Sequence, residues 1–333
     1  MLAAETRLQN IETEMDEEDT RLQDELLQLA DVLLGPDENA MLVSLSQLRL
    51  LMQTATTSMT AVPKPLKYLR NSYRALKNSQ RMVQQKEVKR QFAEVLSVLS
   101  LAGAAPGSKE CLRYCVEGNV TNPGEWGHEY VRQLECEIVD EITNAPVREE
   151  QQIRTQLAAL IKRIVKFDMK HNAEIPGCDL CLEIDQLNFL ADYLDNRNFG
   201  RVCRYLEGCA AYSEDTERKQ ILRVVVDQYL RFQEYCKAML VALQLFDTEL
   251  IYKCLATCPD SVTRKQLAFM LARQRDNPLK KEYEGDDAKD IETILSNSHV
   301  ISHFHSLASE LDICEPKLPE DIYKTYEGKV LGN

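Results

Sequence analysis

The chain has 333 residues, of which 44% are hydrophobic, enough for a buried core of two or so packing units. It carries only 12 Gly and 11 Pro, where average usage gives roughly 23 and 17; the deficit argues against turn-rich β architectures and for helices. A formal net charge of −13 repels phosphate backbones and excludes nucleic acid as a main partner.

No uncharged stretch is both long and apolar enough for a bilayer: the longest, Thr293 to Ser309, carries three His and several Ser. No membrane is therefore expected. The opening residues show no apolar h-region, so no secretory signal is expected. The 11 Cys then read as reduced thiols of the cytosol or nucleus.

In chain order, residues 1–19 end in the acidic run Glu12 to Asp19 and are expected to form a flexible tail. Leu22, Leu26, Leu29 and Leu33 step by helical spacing, and Gly35-Pro36 stops that helix. Met41, Leu45, Leu48 and Met52 repeat the stripe. Val62-Pro63-Lys64-Pro65 places a turn, since residues before proline avoid the helical region. Leu66, Leu69, Tyr73 and Leu76 predict a third helix, and Val88, Phe92, Val95, Leu96 and Leu99 a fourth, ending near Gly103 to Gly107.

Trp126, Tyr130, Leu134, Ile138 and Ile142 predict one helix face, stopped at Pro146. Ile153, Leu157, Leu160, Ile161 and Ile164 follow, with a break at Pro176-Gly177. From 178 to about 313 ordinary helices alternate with short connections. Val224-Val225-Val226 has strand composition, yet no partner strand signal lies nearby, so Ile221 to Leu230 is read as helix. Asp276 to Asp290 is read as a loop. The expected fold is all-α: stacked helical hairpins, α-solenoid-like, each pair burying its apolar face on the next. The expected regions are a flexible acidic tail (1–19), an amino-terminal helical region (20–145), a helical-repeat-like region (146–326) and a short tail (327–333).

Three features could carry chemistry or binding. Cys178-Asp-Leu-Cys181 is a C-x-x-C with His171 upstream, a spacing used by redox dithiols and zinc. The next close pair, Cys254 and Cys258, is distant in sequence, and apolar Leu180, Leu182 and Ile184 surround the motif; buried structural thiols are the expectation. A metal or redox protein built on His171, Cys178 and Cys181 is the alternative. His299, His303 and His305 form a cluster, but Val300 stands where a zincin needs its Glu, so a helix face is expected. Nucleotide and serine-hydrolase motifs are absent from the sequence, and neither catalytic residue, metal nor cofactor is expected.

The third feature is electrostatic. Lys64 to Arg90 contains nine basic residues and one acid, Glu87; that segment is +8, which leaves −21 on the rest of a −13 chain. Lys67, Arg70, Arg74, Lys77 and Arg81 step by three, four, three and four, a basic stripe along one helix. Such like-charged neighbours repel by a few tenths of a kcal/mol per pair, roughly. The stripe is either a solvated face balanced by acidic neighbours or a dock for an acidic partner.

Several blocks carry a family resemblance: TTSMTAVPKPLKYLRNSY (56–73), EWGHEYVRQLECEI (125–138), HNAEIPGCDLCLEIDQL (171–187), RKQLAFMLARQ (264–274) and LASELDICEPKLPEDIYKTY (307–326). In this order the chain resembles the family of the proteasome regulatory-particle non-ATPase subunit 2, from about Asp16 to Tyr326. The resemblance implies a non-catalytic scaffold of the particle's base, serving ubiquitin-dependent proteolysis in cytoplasm and nucleus. Its implied partners are the ATPase ring and other base subunits. In that family a later toroid of helical repeats holds the docking sites for ubiquitin and ubiquitin-like shuttle factors; no residue here matches them, so ubiquitin reception is not expected of this chain. A generic helical-repeat adaptor is the remaining alternative.

Overall fold

The computed structural model describes residues 17–55, 63–274, 279 and 283–314. The expected acidic tail up to residue 16, the tail at 327–333, Val62 and most of 275–282 lie outside the described residues. The described chain contains helices and connections and no strand. It divides into two compact units, Met1–Tyr193 and Leu194–Asn333; the connection at 145/146 lies inside the first.

In the first unit, α1 (Glu17–Leu33) ends before Gly35-Pro36. Asp37 then starts α2 (Glu38–Ala55) by accepting the backbone N–H of Asn39 at 3.0 Å, the ordinary way a helix start satisfies its free donors. Pro63 precedes α3 (Lys64–Leu69), and Pro65 sits in its first turn, where a missing N–H costs nothing. The expected third helix is two: a 3-10 turn (Arg70–Ser72) separates α3 from α4 (Tyr73–Met82). Leu66, Leu69, Tyr73 and Leu76 are nonetheless all buried.

The core of this unit is α5 (Lys86–Gly103), buried without interruption from Phe92 to Ser100. A helix buried on every side must be wrapped, and α2, α3, α4, α6 (Glu110–Glu117) and α7 (His128–Thr143) pack around it. Its two buried hydroxyls are satisfied: Ser97 by the Cys111 carbonyl at 2.7 Å and the Tyr130 hydroxyl at 2.8 Å, and Ser100 by donating to the Ser97 carbonyl at 2.6 Å. α8 (Glu150–Lys170), α9 (Glu174–Glu183) and the short α10 (Asn188–Ala191) complete the unit.

Two expectations are corrected here. Trp126 does not head the α7 face from within the helix: it closes a 3-10 turn (Pro123–Trp126), and Gly127 at φ +90° separates it from α7. The break after α8 falls at His171–Ala173, with Asn172 at φ +59°, and not at Pro176-Gly177. Pro176 lies in the first turn of α9, where proline is tolerated, so the same residue that reads as a stop serves as a start.

In the second unit, α11 (Phe199–Ala210), α12 (Asp215–Arg231), α13 (Tyr235–Leu245), α14 (Thr248–Thr257), α15 (Ser261–Ala272), α16 (Ala288–Leu295) and α17 (Val300–Glu310) follow in order. Each packs on its sequence neighbour through α15, α15 pairs with α16, and α17 returns to α15. This is the hairpin-on-hairpin stacking of a solenoid-like fold. Val224-Val225-Val226 lies within α12. The charged loop ends at Asp287, three residues before its expected limit. No helix of the described residues is long and apolar enough to cross a membrane.

Candidate functional site

The basic stripe is the surface feature that the fold positions most plainly. Lys67, Arg70, Arg74 and Arg81 are exposed, and they form no ion pair among the described residues. Lys77 behaves differently. Three 3-10 residues, each turning about 20° more than an α-helical residue, rotate α4 relative to α3. Lys77 then falls on the flank of the buried face beside Leu76 and Gln80, with its side chain 22% exposed, and its ammonium pairs with Glu110 of α6. The Tyr73 hydroxyl donates to the same carboxylate at 2.5 Å, and Arg113 stands 3.8 Å away. Burial pushes the Glu110 carboxyl up, but Lys77 and Tyr73 outweigh it and hold the group below the usual carboxylate range. Burial and the bond to Glu110 push the Tyr73 phenol up. Four cations are thus presented to solvent, and the fifth anchors α4 to α6.

Beside α4 runs an open groove of about 350 Å³, between the α1–α2 turn and the outer face of α4. Leu34, Met41, Ala75, Asn78, Met82 and Val83 line it. Ser79 donates to the Leu33 carbonyl at 2.6 Å and fixes α4 against the end of α1. Glu38 also reaches the groove, but its two oxygens accept the backbone N–H groups of Gln84 and Gln85 at 2.8 and 3.0 Å. The walls leave apolar surface open: Leu34 is 45% exposed and Met82 78%. Arg74 and Arg81, four residues before and three after Asn78, share the adjoining face of α4. Sequence reading missed this groove because its walls come from segments about 40 residues apart, and no periodicity links them.

The cysteine motif is interior. Cys178 and Cys181 are both 0% exposed on α9, and burial, then Asp168 and Glu135, pushes the Cys181 thiol up to about 12. A thiol so held is not a ready nucleophile or metal ligand. His171 caps the end of α8, its Nδ1 at 2.8 Å from the Phe167 carbonyl and its ring stacked on Phe167 at 4.2 Å. In the second unit His299 and His305 are exposed and His303 is half-buried; the His299 and His303 rings lie 6.3 Å apart. No group of three or more His, Cys, Asp or Glu among the described residues is placed to hold a metal ion.

Two further clusters carry no motif and were not legible. Arg49 of α2 reaches Glu94 of α5 at 3.4 Å and Glu125 at 3.1 Å, and its guanidinium lies 5.9 Å from the Trp126 ring centre. Beside it, a Cβ on Gly124 would come within 2.1 Å of the Phe167 ring. Deeper in the same unit, Asp168 of α8 faces Glu135 of α7; burial, then the neighbouring carboxylate, pushes Asp168 up to about 9.

Fold and surface together define an all-α, solenoid-like protein whose described surface carries exposed cations beside an open, partly apolar groove. The chain belongs to the RPN1 N-terminal domain family, whose description matches residues 26–327. It is 36% identical over 316 residues to the 26S proteasome non-ATPase regulatory subunit 2 of Dictyostelium discoideum, covering 95% of this chain and 34% of that protein. It is 36% identical over 313 residues to the 26S proteasome regulatory subunit rpn1 of Schizosaccharomyces pombe, covering 94% and 34%. A third relative, the 26S proteasome non-ATPase regulatory subunit 2 homolog B of Arabidopsis thaliana, is 35% identical over 297 residues, covering 87% and 33%. The chain spans about a third of the length of these relatives.

Proposed function

We propose that this chain is a non-catalytic scaffold of the proteasome regulatory-particle base, supporting ubiquitin-dependent protein degradation beside the ATPase ring in the cytoplasm and nucleus. Family membership over residues 26–327 is the observation that carries this reading. The surface supports it: Lys67, Arg70, Arg74 and Arg81 are exposed and form no ion pair among the described residues, and exposed cations on a chain of net charge −13 steer an acidic partner and speed encounter. The partners proposed are ATPase-ring and other base subunits, docked on Lys67, Arg70, Arg74 and Arg81, with Lys77 serving the fold.

The test is co-purification of base subunits with the tagged chain at low and moderate salt, comparing the unaltered protein with Arg70→Glu/Arg74→Glu. Recovery of ATPase subunits that falls with salt and with charge reversal is expected, since exposed charges are screened within about 10 Å at 0.1 M salt. Absence of any base subunit from the unaltered sample would remove the scaffold reading. Recovery that ignores both salt and the double substitution would remove the stripe from it.

A further inference from the structure

The groove beside the stripe completes a two-part recognition surface. Its walls expose Leu34 and Met82 to solvent. Its volume of about 350 Å³ lies at the small end of the range for ligand sites, roughly 300–1,000 Å³. It is open along its length, which suits a side chain presented by a peptide better than an enclosed small molecule. The acid at its edge, Glu38, is already held by the Gln84 and Gln85 backbone donors. The charges left to a ligand are therefore those of Arg74 and Arg81, both exposed on α4.

We propose that Leu34, Met41, Ala75, Met82 and Val83 form an anchor pocket for a bulky apolar side chain of an acidic peptide segment, whose carboxylates lie along Arg81, Arg74, Arg70 and Lys67. The occupant is a segment of another protein, amphipathic and acidic. Charge complementarity selects it: a basic or neutral segment would leave the stripe unpaired. The arrangement is a helix-in-groove mode, in which apolar anchors give affinity and flanking charges give orientation. This deepens the docking reading of the stripe and rests on it. It adds a requirement the stripe alone does not make, an apolar residue in the partner.

The experiment uses the full chain and three fluorescent peptides in anisotropy titrations. One alternates Glu with Leu at helical spacing, one replaces every Leu by Ser, and one replaces every Glu by Gln. The first should bind, and loss of either its Leu or its Glu residues should weaken binding at least about tenfold, a change of about 1.4 kcal/mol. Met82→Ser and Leu34→Ser, both at exposed positions, should weaken the first peptide and leave the Ser peptide unaffected. Arg74→Glu/Arg81→Glu should weaken both. Circular dichroism establishes that each variant is folded, and two separate groove variants keep the test decisive if one is not. Equal binding of the Leu and Ser peptides would overturn the anchor pocket while leaving the stripe in place. Indifference to the charge reversal would overturn the stripe as well. The chain's own acidic run is the competing occupant. If Glu12→Gln/Glu14→Gln/Asp16→Asn raised affinity for the first peptide about tenfold or more, that run would be seated in the groove, and the assignment to another protein would be wrong.

Discussion

At the scale of single residues, the same charge type serves two purposes within one stripe. Lys77 and Arg74 are three positions apart, yet one neutralises Glu110, only 8% exposed, and the other meets water. Lys77→Ala should destabilise by about 1–3 kcal/mol, the cost of removing the ammonium from a buried carboxylate that keeps only the Tyr73 hydroxyl and the more distant Arg113. Arg74→Ala should stay within about 0.5 kcal/mol, as surface changes usually do. Urea unfolding of the two variants measures the contrast, and equal midpoints would show that Lys77 is no anchor. Trp126 gives a second contrast. It is 2% exposed although it stands on a four-residue turn, so Trp126→Ala should cost roughly 3–5 kcal/mol, the range for truncating a buried large aromatic. An unchanged unfolding midpoint would place that ring on the surface.

At the scale of elements, the apolar stripes were legible, as were the stops at Gly35-Pro36 and Pro146, but two other joints were not. Leu22, Leu26, Leu29, Leu33, Met41, Leu45, Leu48 and Met52 were read as two core faces, and all are buried except Leu22, which is half-buried near the start of α1. Spacing alone reveals them because burial obeys the helix period. Spacing cannot reveal the 3-10 turn at Arg70–Ser72, since apolar residues at i and i+3 suit both helix types. Nor can it show that Pro176 begins a helix, because proline marks either end of one. The stripe residues could be named from the sequence; the inward turn of Lys77 and the groove could not, because both depend on distant partners. Gly118 is another such joint. A Cβ there would sit 2.8 Å from the Glu94 backbone nitrogen, so α5 and α6 approach closely only because position 118 has no side chain. Gly118→Ala should therefore cost about 1–3 kcal/mol, as overpacking does, despite alanine's better helix propensity. A thermal scan showing higher stability would mean the two helices can slide apart freely.

At the scale of the whole molecule, cooperative unfolding makes one buried group visible in the stability of the unit around it, and Asp168 is the group to follow. It lies in the core of the first unit, 2% exposed, with Glu135 opposite; Cys181 of α9 is the next titratable neighbour, and Arg132 and Asp179 act on Glu135. Gly177 permits this closeness, since a Cβ there would be 3.2 Å from the Asp168 Cβ. Burial, and then the facing Glu135 carboxylate, hold its folded pKa well above the ordinary unfolded value of about 3.9. The folded chain therefore holds a proton that the unfolded chain releases. Stability from this group is fully present below the unfolded value and is lost as pH rises toward the folded one, with a slope of up to about 1.4 kcal/mol per pH unit for one proton. Glu110 works in the opposite sense and in a lower window. Its depressed pKa adds stability above the ordinary carboxylate value, lost as pH falls through the folded one. The protein should thus be more stable at pH 5.5 than at pH 8.5. In Asp168→Asn, which keeps the shape and cannot ionise, the difference should shrink markedly. Paired thermal melts of the two proteins at both pH values decide it. If stability rises with pH in the unaltered protein, or if the substitution leaves the slope unchanged, Asp168 is ionised in the folded state and the buried pair does not control the pH response.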